Sequence, residues 1–571
     1  MKVNHLSTLF MSVMLLVGLA IPITVYCSVY NNLYSQAAPI SVETPKVIMQ
    51  HGIVGESTIY MNDTSAKVSV SAPIGLEYGY AFKSSNVRVS TTSGTPVDDP
   101  EAFLSIDLDK TSQVLIIYNA GNKRNSVEHL DGKGCAINID GVDVAFSWQS
   151  PYSSNKANSV TVAYAAELNA GTHLIKGRFF ANSPGNTVGI DTRQIVVFWF
   201  SNVVARYVRS TVVATTTSSV PVDDPQAILN FTLNDDSVAF IIYNVGNKRG
   251  SREPVRGKGV TLNVDGVNIA TRQWQSPYTT NRANSVTIVY VTRLAAGFHT
   301  IRGRFFSNTP GSTTTIDERQ LIVFCFPLDL VTYGFVQSTT PFSTTSGTSV
   351  DDVQAVLNLT LTKNSDALIM YVGGNLHGAT ENYDGKGFQL QVNGVDQLNS
   401  SSWQSPYGNN YADSSTSIWC EQLTAGSHTI KGRFFANNPG YTVTISHRQL
   451  AVLAFSKQPV TYNYVLKITN QVADMWRIRL RAYDQSNIGR LYNCTIHFYY
   501  DGALSCQIYI YNGECHQPFG NWSTLKSLST AYIVITVLAT SKGTTYIYTY
   551  LEVLKPNTST YNLMIITFEI T

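Results

Sequence analysis

A chain of 571 residues is too long for a single hydrophobic core and implies about four domains. Its 44% hydrophobic and 14% charged residues exclude a largely disordered chain and suit β domains rich in Thr, Ser, Tyr and Val. Forty basic against thirty-eight acidic side chains leave a formal charge of +2, which gives no electrostatic footprint for nucleic acid.

The first element is apolar. Lys2 precedes an uncharged stretch from Leu9 to Tyr26, near the lower length limit for a spanning helix. Ile21-Pro22 is a poor context for cleavage after Ala20, and Tyr26 stands where lipidation of Cys27 needs a small residue. Residues 1–27 are therefore expected to be an uncleaved signal anchor, one membrane helix with the bulk of the chain outside. The alternative is a cleaved signal. Residues 28–86 carry Ser, Thr and Pro with a short alternating patch from Lys67 to Ser71, and read as a spacer with a little β structure.

Beyond the spacer the chain repeats itself. Trp148-Gln-Ser-Pro-Tyr152 returns at Trp274 to Tyr278 and at Trp403 to Tyr407. Gly177-Arg-Phe-Phe180 returns at Gly303 and Gly432, and Val97-Asp-Asp99 at Val222 and Val350. The spacing of 125 to 129 residues is that of whole domains, so three modules are expected at 87–205, 206–332 and 333–456 as beads on a string. Within a module the hydrophobic period is two. Asp140-Gly141, Asp265-Gly266 and Asn393-Gly394 mark tight primed hairpin turns. Gln320 to Phe326 is nearly continuously apolar and reads as a central strand. About eight short strands per module, with no helical pattern, predict a two-sheet jelly roll. After about Phe455 the signature stops, and strictly alternating Trp476 to Tyr483 opens a distinct C-terminal β-sandwich over 457–571. The fold class expected is thus all-β, with one N-terminal membrane helix.

These motifs, taken as a set, resemble the jelly-roll modules of surface and phage-tail-type proteins. The C-terminal domain resembles a β domain of archaeal membrane-anchored cell-surface proteins of undefined function. The resemblance implies a fold and no established reaction.

Among candidate sites, the paired carboxylates Asp98/Asp99, Asp223/Asp224 and Asp351/Asp352 come first. Adjacent residues of an extended chain point to opposite faces, so each pair is a poor catalytic dyad. A turn-forming role is expected, with a calcium site as the alternative. His173, His299 and His428 recur singly, without a second ligand at metal spacing, and are read as hydrogen-bonded residues at strand starts. Trp148, Tyr152, Trp274, Tyr278, Trp403 and Tyr407 flank a proline. They are read mainly as core or loop anchors, and alternatively as flat faces for carbohydrate. Arg178 and Arg193, with Arg304, Arg319, Arg433 and Arg448, are expected to pair with carboxylates or rings.

Cys135, Cys325 and Cys420 align with apolar residues in sister modules and read as buried thiols, while Cys506 and Cys515 could close a hairpin-sized disulfide. Glycosylation sequons stand at Asn62, Asn230, Asn358, Asn399, Asn493, Asn521 and Asn557. The expectation is a membrane-anchored extracellular structural or adhesive surface protein of the cell envelope, non-catalytic, with no cofactor unless calcium. Its partners would be the membrane and surface glycans or other envelope proteins, not nucleic acid. A multivalent carbohydrate-binding protein is the alternative, and a virion or tail-type surface protein the third reading.

Overall fold

The computed structural model describes side chains over residues 78–456, except Asn202, Ala270, Tyr278, Asn281, Ala379, Tyr407 and Asn410, and backbone strands on either side between Cys27 and Ile570. The chain divides into two units, Leu76–Lys457 and a unit drawn from the segments on both sides of it.

In the first module an inner sheet runs in the order Asn158–Leu168, Ser112–Asn122, Thr192–Phe200, Tyr78–Ser85. An outer sheet runs Val142–Gln149, Lys133–Ile139, Gly171–Ala181, Val97–Leu108. All pairs are antiparallel, and apart from the hairpin of Lys133–Ile139 and Val142–Gln149 the chain alternates between sheets as a jelly roll does. The other two modules repeat this order. Their first strands, Val204–Ser210 and Val331–Ser338, begin close to the expected boundaries. The first module starts earlier than expected, because Tyr78–Ser85 pairs with Thr192–Phe200. The hairpin turns form as read: Asp140, Asp265 and Asn393 have φ of 50°, 49° and 52°, each followed by a glycine of positive φ.

The burial pattern explains why two strands per module are apolar without alternation. In Ser112–Asn122, Val114, Ile116, Tyr118 and Ala120 face the interior of their own sandwich. Leu115 and Ile117 face the opposite way, into a second core shared with Phe240, Ile242, Met370 and Val372 of the other modules. Thr192–Phe200 divides likewise, Ile195 and Val197 inward, Val196, Phe198 and Phe200 into the shared core. The outer-sheet strand Val97–Leu108 has only one covered face and alternates. The expected beads on a string are therefore corrected. The inner sheets of all three modules bury their second faces against one another. At one end of this core Phe200, Phe326 and Phe455, equivalent residues of the three modules, form a triangle with centroids 5.0–5.2 Å apart.

The second unit is described by its backbone. Ser41–Met49 pairs in parallel with Tyr561–Ile570, and Thr64–Val70 pairs antiparallel with Val460–Asn470. The segment expected as a spacer thus supplies strands to the sheets of the C-terminal domain. Its short alternating patch gave no hint of partners almost 400 residues away, since pairing register depends on both strands. The expected membrane helix lies outside the described residues, and among those described no helix is long and apolar enough to cross a membrane.

Candidate functional site

The Trp-Gln-Ser-Pro-Tyr motif sits where modules meet, and the contacts run in a circle. Ser150 N–H donates to the carbonyl of Ala283 in the second module at 3.0 Å, Ser276 to Ala412 in the third at 3.1 Å, and Ser405 back to Ala157 in the first at 3.0 Å. The adjacent glutamines follow the same circle. Gln149 Oε1 accepts from Ser285 N–H, Gln275 from Ser414 N–H, and Gln404 from Ser159 N–H, at 3.0, 3.0 and 3.4 Å. Each motif serine also turns back to its own module, its hydroxyl donating to the carbonyl of Asp131, Arg256 or Asp384. Gly132, Gly257 and Gly385, all at φ near 71°, bring the preceding loop so close that a Cβ would stand within about 2 Å of the glutamine carbonyl.

The motif aromatics share these seams. Trp274 is 8% exposed, edge-on to Phe306 and 4.2 Å from the His447 ring of the third module. Trp403 is 6% exposed, with Lys123 of the first module 5.7 Å from its ring. Trp148 is half-buried and stacks on Phe146. Tyr152 is half-buried and lies 5.7 Å from Tyr383 of the third module. Tyr278 and Tyr407 lie outside the described residues.

Charge is distributed unequally around the ring. Asp131 meets Arg249 and Arg282 of the second module, and Asp384 meets Arg124 and Lys156 of the first. At the seam between the second and third modules the equivalent position is Arg256, opposite His377. Burial and Arg256 together lower the His377 pKa. At the same seam burial, then Arg448 and Arg272, push His447 down to about 4.

The paired aspartates lie on strands and divide between faces, as extended backbone requires. Asp99, Asp224 and Asp352 point inward, each accepting from a buried tyrosine (Tyr118, Tyr243, Tyr371) at 2.8–2.9 Å. Each also meets a fully buried arginine (Arg193, Arg319, Arg448) at 2.7–2.9 Å. These triads tie the outer sheet to the inner one. Asp98, Asp223 and Asp351 point out and pair with Arg178, Arg304 and Arg433 and their neighbours Lys176, Arg302 and Lys431. Every member of the pairs weighed as calcium ligands is thus occupied by a cation of its own module, and the two carboxylates of a pair do not converge. The histidines at strand starts hold the hairpin turns. His173 meets Asp140 at 2.7 Å, His299 meets Asp265 at 2.8 Å, and His428 meets Asn393 at 2.9 Å. Burial disfavours the His173 and His299 cations, but the facing aspartates outweigh it and raise both pKa values.

Cys135, Cys325 and Cys420 are buried and free, and burial pushes the first two thiols up to about 12. Cys506 and Cys515 lie beyond the described side chains, as do Asn62, Asn493, Asn521 and Asn557. Asn230 and Asn358 are exposed on outer-sheet strands, each accepting from a neighbouring threonine, while Asn399 is half-buried and its carbonyl accepts from Gln194 of the first module.

Sequence reasoning missed one recurring group. Lys133, Lys258 and Lys386 are wholly buried, each beside a buried glutamate, Glu128, Glu253 or Glu381. The signal was present: in all three modules the lysine stands between two glycines at the start of an alternating strand.

No family model matches the chain, and no curated protein does. Among solved structures it is similar to N-glycanase F, with TM-score 0.24 and 11% identity over 44% of this chain and 96% of that one. It is also similar to a triple jelly-roll turret protein of an archaeal virus, with TM-score 0.14 and 11% identity over 75% and 91%. The ectodomain of ANX2 from Arabidopsis thaliana gives 0.15 and 8% over 45% and 89%. These likenesses are too slight to bear on function.

Proposed function

We infer that the chain is a non-catalytic structural protein of an outer surface, in which residues 76–457 serve as one rigid block built from three jelly rolls. The observation that carries this reading is the circle of Ser N–H to Ala carbonyl bonds, repeated at all three seams over a shared apolar core. Modules joined in this way act as a unit, whereas flexible multivalent display needs modules that move independently. Only Ser201 to Val203 separates the last strand of the first module from the first strand of the second, which leaves little slack. The uncharged stretch from Leu9 to Tyr26 supports an outward, membrane-tethered placement.

The carbohydrate-binding alternative loses ground on this geometry, because the motif amides it would use already hold the next module. The test is external protease on intact cells or particles of the source. A surface-exposed, protease-resistant fragment close to residues 76–457 is expected. Recovery of the protein only from the cytosol, or clipping into three separate modules, would overturn the reading.

A further inference from the structure

The buried lysines are the least expected feature of the modules, since an ion pair deep in a sandwich is costly to keep and apolar residues replace it readily. Each lysine begins an outer-sheet strand, and its nearest oxygen belongs to the first residue of an inner-sheet strand: Asn158, Asn284 or Asp413. A second asparagine and the glutamate complete the group: Asn122 and Asn375 also accept from Lys133 and Lys386, and Asn247 donates to Glu253. Glu128 Oε1 lies 3.3 Å from Lys133 Nζ and accepts from Asn158 Nδ2 at 3.2 Å. Glu253 and Glu381 lie 3.7 and 3.0 Å from their lysines. Among the described residues, the buried Asn284 Nδ2 finds no hydrogen-bond partner at all.

The third module is the informative one. It carries Asp413 where the others carry Asn158 and Asn284, and burial raises the carboxyl pKa of Asp413. What they share is an amine, a carboxylic acid and a side-chain acyl carbon, held together away from water. Burial raises the carboxyl pKa of all three glutamates, Glu381 to about 8.

We propose that each module closes an intramolecular amide between these side chains, Lys133 to Asn158, Lys258 to Asn284 and Lys386 to Asp413, with the neighbouring glutamate moving the protons. Lys133 first gives a proton to Glu128, which neutralises both groups in the dry core. The free amine attacks Cγ of Asn158 and a C–N bond forms. Glu128 hands its proton to Nδ2 and takes one from the attacking nitrogen as the Cγ–Nδ2 bond breaks and ammonia leaves. In the third module protonated Asp413 is the acyl donor and water leaves. No oxidant or cofactor is needed, because an amine and an amide, or an amine and an acid, exchange without any change in oxidation state. The bond joins the outer sheet of each module to its inner sheet, and so restricts the unfolded chain as other cross-links do.

The test is peptide mass spectrometry on a tryptic digest of the full chain. The expected result is that trypsin fails to cut after Lys133, Lys258 and Lys386. The peptides bearing Lys133 and Lys258 should be recovered joined to those bearing Asn158 and Asn284, each pair lighter by one ammonia, while Lys386 and Asp413 stay in one uncut peptide, residues 364–431, lighter by one water. Fragmentation must locate the branch, since asparagine can lose ammonia alone by cyclising. Glu128→Gln is expected to separate the first pair while the other two stay joined as internal controls. Three free, cleavable lysines in chain that melts cooperatively would overturn the proposal, and an unchanged first cross-link in E128Q would overturn the glutamate's part.

Discussion

Replacing Phe326 by Ala probes the shared core directly. Phe326 is 1% exposed, and its ring lies 5.0 Å from both Phe200 and Phe455, in the modules before and after it. On a free-standing module this outward face would be wet, and truncation there would change stability by less than about 0.5 kcal/mol. In the closed arrangement the change removes a buried ring from between two others, at a cost of about 3–5 kcal/mol. Urea unfolding of the full chain followed by tryptophan fluorescence measures the difference. The double variant Phe200→Ala/Phe326→Ala sharpens it, because rings in contact couple by about 0.5–1.5 kcal/mol whereas distant sites add. A loss below about 1 kcal/mol, with strict additivity, would refute the reasoning.

Three further outcomes follow from the geometry. Asp224→Ala strands the buried Arg319 and should cost about 3–5 kcal/mol, whereas Asp223→Ala, its outward neighbour, should cost under about 1 kcal/mol; chemical denaturation separates them. Gln275→Ala leaves the N–H of Ser414 without its acceptor across the seam and should cost roughly 1–3 kcal/mol, read as a lowered melting temperature. His447 is held near 4, below its ordinary value of about 6.5, so its contribution is complete above pH 6.5 and is lost as pH falls through 4. Wild type should therefore lose roughly 1–3 kcal/mol more than His447→Gln between pH 7 and pH 4; parallel pH profiles would count against that assignment.

The modules, their hairpin turns and the opposed faces of each Asp-Asp pair were legible because they are local: period two, Asp-Gly, and alternation along one strand. The relation between modules was not. Gln320 to Phe326 showed that a strand was covered on both faces, but an apolar run cannot say whether the second cover is a sheet of its own module or of another. The Trp-Gln-Ser-Pro-Tyr motif left two readings open for a related reason. Its aromatics and amide suit carbohydrate, and the same groups suit a protein seam, where Gln149 accepts from a backbone 136 residues away. The buried lysines escaped because composition places lysine on the surface; only their glycine neighbours, shared three times over, marked them as different.

The closing seam offers the most direct measurement. In a string of beads the first and third modules need not touch, yet Ser159 and Ser415 oxygens lie 2.6 Å apart in the buried polar layer that joins them. The double variant Ser159→Cys/Ser415→Cys places two thiols within disulfide reach. Mild oxidation of the folded full chain should link them quantitatively, giving a faster band on a non-reducing gel and a 159–415 disulfide peptide. Two thiols that stay free in the folded protein, while denatured and refolded controls pair at random, would contradict the closed ring.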